Sequence, residues 1–155
     1  MKRALVIGCS LLALSSAAYA QVIGDNVPNY RYSVPGVLNT PALATVFQCT
    51  NTGKVGAGAF PFEVDVFDAT GVLAGTVSLA LSEGETKTIS TQPLGALAVN
   101  GSMFGNGAGT TVVSGAARIL GGKKMICTAS VIGPGVNPAY LNALPVLKKT
   151  TQHGA

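Results

Sequence analysis

Residues 62–89 read FEVDVFDATGVLAGTVSLALSEGETKTI, and their alternation decides the fold class. Phe62, Val64 and Val66 point one way while Glu63 and Asp65 point the other, the period-2 pattern of a strand with one covered face. Asp68-Ala69-Thr70-Gly71 has turn chemistry. Leu73, Val77, Leu79 and Leu81 then share a face, with Thr76 and Ser78 opposite. Glu83-Gly84-Glu85 makes the next turn, and Thr86 to Ser90 returns as a third strand.

The same rhythm extends in both directions. Upstream, Tyr30 to Val34 alternates and stops at Pro35-Gly36, and Ala42 to Thr50 places Leu43, Phe47 and Cys49 on one face. Downstream, Gln92 to Gly109 carries two Asn-Gly pairs, Asn100-Gly101 and Asn106-Gly107. Each pair fits a tight turn, but the flanks are poor strands. This stretch reads as a long connection with a short helical turn near Leu94 to Val99. Strand character resumes over Thr110 to Leu120, turns at Gly121-Gly122-Lys123-Lys124 and runs back over Met125 to Ile132. Pro134, Gly135 and Pro138 mark a loop, and Leu144 to Leu147 reads as a last edge strand. Turns every 8–12 residues with alternating segments between them predict an all-β sandwich or barrel.

The two ends set the compartment. MKRALVIGCSLLALSSAAYA has the anatomy of a cleavable export signal. Lys2 and Arg3 form a basic start, Ala4 to Leu14 an apolar stretch, and Ala18-Tyr19-Ala20 a small-x-small cleavage site that leaves Gln21 first. A rival reading takes Val6-Ile7-Gly8-Cys9 as a lipobox that would anchor the chain at Cys9; the apolar run before it is short. No later segment is long enough to span a bilayer.

Removing Lys2 and Arg3 from ten basic residues leaves eight against six acidic ones. That weak surplus is scattered and lacks interleaved aromatic residues, which argues against nucleic acid. With Cys9 cleaved away, Cys49 and Cys127 remain, 78 positions apart. An even count in an exported chain predicts a disulfide. Closing so long a loop stabilises a fold by roughly 4–5 kcal/mol in the chain-entropy model. Both cysteines alternate with apolar residues, so both sulfurs face the core side. A tie across the interior and a tie between neighbouring strands are equally open.

The quoted stretch resembles the middle of many bacterial immunoglobulin-like β-sandwiches, in which a strand, a D-x-x-G turn and a strand ending in a Gly-Glu turn recur. The wider pattern is similar to small exported bacterial proteins. It comprises the CTN of Cys49–Asn51, the VFD of Val66–Asp68, AARIL at Ala116–Leu120, KKMICTA at Lys123–Ala129 and LPVLKKT at Leu144–Thr150. The resemblance implies a sandwich and export, and no activity.

Reactive chemistry is sparse. The only histidine, His153, lies three residues from the end and reads as a tail residue. That leaves no imidazole for Ser-His-Asp, Cys-His or histidine-metal sites. Glu63 and Asp65 sit two apart on one strand face, roughly 6–7 Å from each other, which would suit a glycosidase-type pair. The competing reading is a solvated strand face. Asp68 with Thr70 and Gly71 reads as an Asx turn. Glu83 and Glu85 could help hold calcium, but no third ligand is evident. Arg118 reads as an outward surface residue; if inward, it needs Asp65 or Asp68. Lys123, Lys124, Lys148 and Lys149 read as solubilising charges that could touch anionic envelope surfaces.

The expectation is therefore an all-β, immunoglobulin-like antiparallel sandwich of about 7–9 strands with one disulfide. Residues 1–20 form the signal peptide, 21–41 an extended N-terminal segment, 42–148 the sandwich and 149–155 a polar tail. The expected function is a non-catalytic binding, adhesion or envelope-structural module in the periplasm or outside the cell. It needs no cofactor or metal, and its partners would be envelope or extracellular proteins or glycans. One alternative is a filament subunit assembled by donating the stretch before Leu43 as a strand. Another is a carboxylate-dependent hydrolase using Glu63 and Asp65.

Overall fold

The computed structural model describes residues 29–54, 56, 58–94, 99–104, 111–133 and 140–148. The signal peptide with Cys9, the Ala20–Gln21 junction, Lys149 and His153 lie outside them. So do the Asn106-Gly107 pair, the Pro134–Pro138 loop and most of the expected helical turn.

The described residues are all-β, in ten strands: β1 (Asn29–Thr40), β2 (Leu43–Asn51), β3 (Phe60–Phe67), β4 (Leu73–Leu81), β5 (Thr86–Ser90), β6 (Gly101–Ser102), β7 (Val112–Gly121), β8 (Met125–Ile132), β9 (Tyr140–Leu144) and β10 (Leu147–Lys148). The count exceeds the expected range because β6 and β10 are two-residue pieces too short to leave a periodic signature. The pairing is antiparallel except between β5 and β6.

Hydrogen bonding runs β4-β3-β7-β1-β2-β5-β6, with β10 added beside β1, β8 beside β2 and β9 beside β8. The ladder has one narrow waist. β1 meets β2 only at Asn39↔Ala44 and Thr40↔Leu43. On one side of that corner lies β4-β3-β7-β1-β10, and on the other β6-β5-β2-β8-β9. The two halves face each other over a shared core, so the sheet wraps nearly into a barrel. Phe47, Cys49, Ile89, Met125 and Ala129 from one half pack with Val34, Phe62, Val64, Val66 and Ile119 from the other.

The corner explains a polar cluster that alternation could not announce. Thr45 and Thr91 are fully buried. Thr45 Oγ1 accepts from Leu38 N at 2.8 Å, and Thr91 Oγ1 accepts from Thr45 N at 3.0 Å and donates to Leu38 O at 3.0 Å. Gln92 Nε2 donates to the carbonyls of Thr40 and Leu43. These side chains satisfy backbone groups that the bend from β1 to β2 would leave bare.

Three expectations are corrected. Pro35-Gly36 does not end the first strand. Gly36 takes φ 79° and the register slips between Pro35 and Val37, so β1 kinks there and continues to Thr40. Asn29–Thr40 is thus integral to the sheet, between β7 and β10, and the compact unit starts well before residue 42. Asn100-Gly101 is no hairpin turn, because Gly101 opens β6, which pairs in parallel with Ile89. The expected last strand over Leu144–Leu147 is two strands, β9 on β8 and β10 on β1, separated at Pro145 and Val146. The weak middle of the sequence packs as a cover: Leu94 and Val99 lie on Ala44, Val46 and Ile132 in a second small core.

Candidate functional site

A cluster of charge, Glu63, Asp65 and Arg118, lies on the outer face of β3 and β7. Asp65 stands directly opposite Arg118 on β7 and Thr76 on β4. Strand alternation fixes this, since Val64 and Val66 take the core side. Arg118 Nε and Nη2 both donate to Asp65 Oδ2, at 3.0 and 2.7 Å, and Thr76 Oγ1 donates to Oδ1 at 2.8 Å. The Arg118 Cζ stands 5.3 Å from the Phe67 ring centroid, a cation–π contact. Arg118 pairs with the carboxylate, and the Asp65 side chain is only 4 % exposed. The expected solvated face is therefore corrected at Asp65. Arg118 does face outward, and it is also paired with Asp65.

Glu63 lies one step down the same face, opposite Leu120 and Ser78. Partial burial raises its pKa, the neighbouring Asp65 charge raises it further, and Arg118 pulls it back. Both Asp65 oxygens accept hydrogen bonds, and the carboxylate is nearly buried, whereas Glu63 is partly exposed.

Among the described residues the remaining carboxylates, Asp68, Glu83 and Glu85, accept hydrogen bonds from the backbone. Asp68 Oδ1 accepts from Thr70 N, Thr70 Oγ1 and Val72 N, the expected Asx turn. These bonds, led by the Thr70 hydroxyl, lower its pKa. Glu83 Oε2 accepts from Gly56 N at 2.6 Å. Glu85 Oε2 accepts from Ser82 N at 2.8 Å, and Oε1 lies 3.3 Å from Lys87. That backbone bond is the main cause of its lowered pKa. The two glutamates pin the loops around the β4–β5 turn rather than converge on a cation. Among the described residues no three potential metal ligands cluster. Lys123, Lys124 and Lys148 are exposed, as expected of solubilising charges.

The Cys49–Cys127 disulfide forms, and it joins neighbouring strands rather than crossing the interior. The two residues are directly opposite in the β2–β8 ladder, with Cα atoms 4.2 Å apart, the spacing of a non-hydrogen-bonded antiparallel pair. Asn51 explains the rest of the CTN motif. It is buried, its Nδ2 donates to Leu81 O at 3.3 Å and its Oδ1 accepts from Gly53 N at 2.8 Å. Its backbone also bonds the β4–β5 turn at Gly84 and Glu85. Sequence reasoning missed Asn51; an amide between a cysteine strand and a Gly-rich loop was the available signal.

One concave surface lies on the outer face of β2, β5 and β8. It is a groove of about 210 Å³ lined by Gln48, Thr50, Thr86, Ile126, Cys127 and Thr128. The Thr50 and Thr86 hydroxyls bond each other at 2.7 Å. Neutral hydroxyls, one amide and one isoleucine can hold a neutral polar contact, and nothing there titrates near neutral pH. Comparison with protein-family models, with curated proteins and with solved structures finds no match to this chain.

Proposed function

We propose that this chain is an exported, non-catalytic binding or envelope-structural module, an immunoglobulin-like sandwich in periplasmic or extracellular space. One observation carries the reading: the polar chemistry is spent on the scaffold. Among the described residues no buried side-chain nitrogen or oxygen lacks a hydrogen-bond partner. Asp65, Asp68, Glu83 and Glu85 each hold a neighbouring strand or turn. A catalytic site would instead keep a reactive group aimed into a cleft.

Export is supported by the signal-peptide anatomy of residues 1–20 and by a disulfide that suits an oxidising compartment. The sandwich reading is supported by the two five-strand halves that share one core. The resemblance to small exported bacterial sandwiches adds to both. The donated-strand filament is the weaker reading, because Asn29–Thr40 already pairs with β7 along its length, and Tyr32, Ser33, Asn39 and Thr40 pair on its other side with β10 and β2 of its own chain.

Intact mass of the protein from the envelope fraction of its own cells tests this, measured before and after reduction and alkylation. The expected species starts at Gln21 and is lighter than its reduced form by the two hydrogens of one disulfide. An acylated chain starting at Cys9 would make it a membrane-tethered lipoprotein. A full-length chain in the cytoplasm with free thiols would overturn the export reading.

A further inference from the structure

We propose that the Cys49–Cys127 disulfide is exchangeable in the folded protein, and that a low-molecular-weight thiol attacks it at Cys127. The inference does not rest on the proposed role.

The two ends of the bond are unequally covered. Cys49 is fully buried, and strands pair on both sides of it: Cys127 of β8 on one side and Lys87 of β5 on the other. Cys127 is partly exposed, and among the described residues only β2 pairs with β8 at its register. The far side of β8 is closed above and below it. Leu144 of β9 pairs with Ala129, after which the chain crosses to β1 as β10. On the other flank Tyr32 Oη donates to Met125 O. Cys127 lies between these two closures.

Thiol–disulfide exchange is an in-line attack on one sulfur, so the direction of approach decides which one reacts. The bond joins β8 to β2. An attacker in line with it reaches Cys127 from the far edge of β8, and would reach Cys49 only from the side that β5 occupies. The thiolate therefore bonds to Cys127 Sγ, and the Cys49–Cys127 bond breaks. Its electron pair leaves on Cys49 Sγ, which takes a proton from solvent. The incoming thiol is oxidised to a mixed disulfide with Cys127, and Cys49 is reduced. Lys87 shares the Cys49 face of the β2–β5 ladder, and a neighbouring ammonium favours a departing thiolate.

The fold makes the step reversible. The β2–β8 ladder runs from Ala44↔Ile132 to Asn51↔Met125, and its backbone bonds do not need the sulfur bridge. The strands keep their register when the bridge opens. Cys49 stays opposite Cys127, placed to expel the bound thiol and restore the disulfide. An approach bounded by Leu144 and Tyr32 suits a small thiol rather than one carried on a protein surface.

The test is peptide mapping of the folded protein after incubation with reduced glutathione and no denaturant. Exchange is stopped in acid, and the chain is then unfolded and alkylated in acid. Glutathione is expected on the Cys127 peptide and the alkyl group on the Cys49 peptide. Two variants check this with oxidised glutathione: folded Cys49→Ala should take up one glutathione at Cys127, and folded Cys127→Ala none until it is denatured. The mapping on the unaltered protein covers the case in which a variant fails to fold. Glutathione on Cys49, or shared evenly as exchange through the unfolded chain would give, would overturn the proposal. So would a bond that opens only in denaturant, or a folded Cys127→Ala variant that reacts as fast as Cys49→Ala.

Discussion

Asp65 and Arg118 form an ion pair that is buried at one end only: the carboxylate side chain is 4 % exposed and the guanidinium side chain 46 %. That asymmetry predicts unequal costs. Replacing Arg118 by Met strands a nearly buried carboxylate with one hydroxyl partner, Thr76. The loss should be about 2–3 kcal/mol, below the full value for a buried pair because Arg118 is half solvated. Asp65→Asn leaves a wet cation and a neutral amide near Thr76, at about 1 kcal/mol. Urea denaturation of the two single variants and the double variant gives both costs and their coupling. Equal costs would mean that water, not Arg118, balances the Asp65 charge.

Reducing the disulfide should destabilise the fold by about 4 kcal/mol, because it frees a 78-residue loop in the unfolded chain. Cys49→Ala with Cys127→Ala should reproduce most of that loss, with the β2–β8 ladder intact by circular dichroism. Cys49→Ser should cost more than Cys49→Ala, since Cys49 is fully buried and a hydroxyl there must find a partner. Thermal melts of these forms and of the oxidised parent under matched conditions decide it.

Asn51→Ala should cost about 1–3 kcal/mol, because it leaves Leu81 O and Gly53 N short of a partner at a buried position. The effect should be local first. Backbone amides of Gly53, Gly84 and Glu85 are expected to exchange faster than those of β7. Uniform acceleration across the protein would place Asn51 in the global core instead.

The strands were legible in the sequence wherever one face is covered. Phe62, Val64 and Val66 are buried as their alternation requires, and the chain does turn at Gly121–Lys124, but β7 and β8 form no hairpin there: β7 pairs with β1 and β3 while β8 crosses to the other half and pairs with β2 and β9. Alternation assigns a residue to a face but says nothing about what covers the other face. Asp65 therefore read as solvated, although Arg118, fifty-three positions away, shields it. The same limit hid the Thr45–Thr91 corner and the bond from Asn51 to Leu81 O, since these partners are backbone groups distant in sequence. Pro35-Gly36 misled for a different reason: turn residues also serve bulges, and only the pairing of β1 with β7 shows which.

Gly115 and Gly121 both sit in β7, and they should respond differently to Ala. A Cβ on Gly115 would collide with the backbone carbonyl of Phe67 and lie 2.6 Å from Val112 Cγ1. The carbonyl belongs to a paired strand and cannot step aside, so Gly115→Ala should cost about 2–3 kcal/mol. At Gly121 the nearest atoms are the Cε and Sδ of Met125, a flexible end that can rotate. Gly121→Ala should cost about 1 kcal/mol or less. Paired denaturation curves test the ranking, and a reversed order would contradict the β3–β7 packing.

Glu63 gives the fold a pH dependence of definite sign. Its folded pKa is raised, first by desolvation and then by Asp65, so the folded state binds the proton more tightly than the unfolded chain does. Stability then falls as pH rises from the ordinary glutamate range through the raised value, and stays lowered above it. Glu63→Gln removes the desolvated charge and its contact with Asp65. The variant should be more stable than the parent at neutral pH, by at most about 1 kcal/mol because the side chain is partly exposed. The advantage should shrink toward zero as acid protonates Glu63 in the parent. Asp68 and Glu85 work in the opposite direction. Their lowered pKa values give stability that is present above their unfolded values and is lost as pH falls through the folded ones. Subtracting the Glu63→Gln stability profile from the parent profile isolates Glu63 from both. A difference that stays flat across its titration range would mean that Arg118 offsets the desolvation in full.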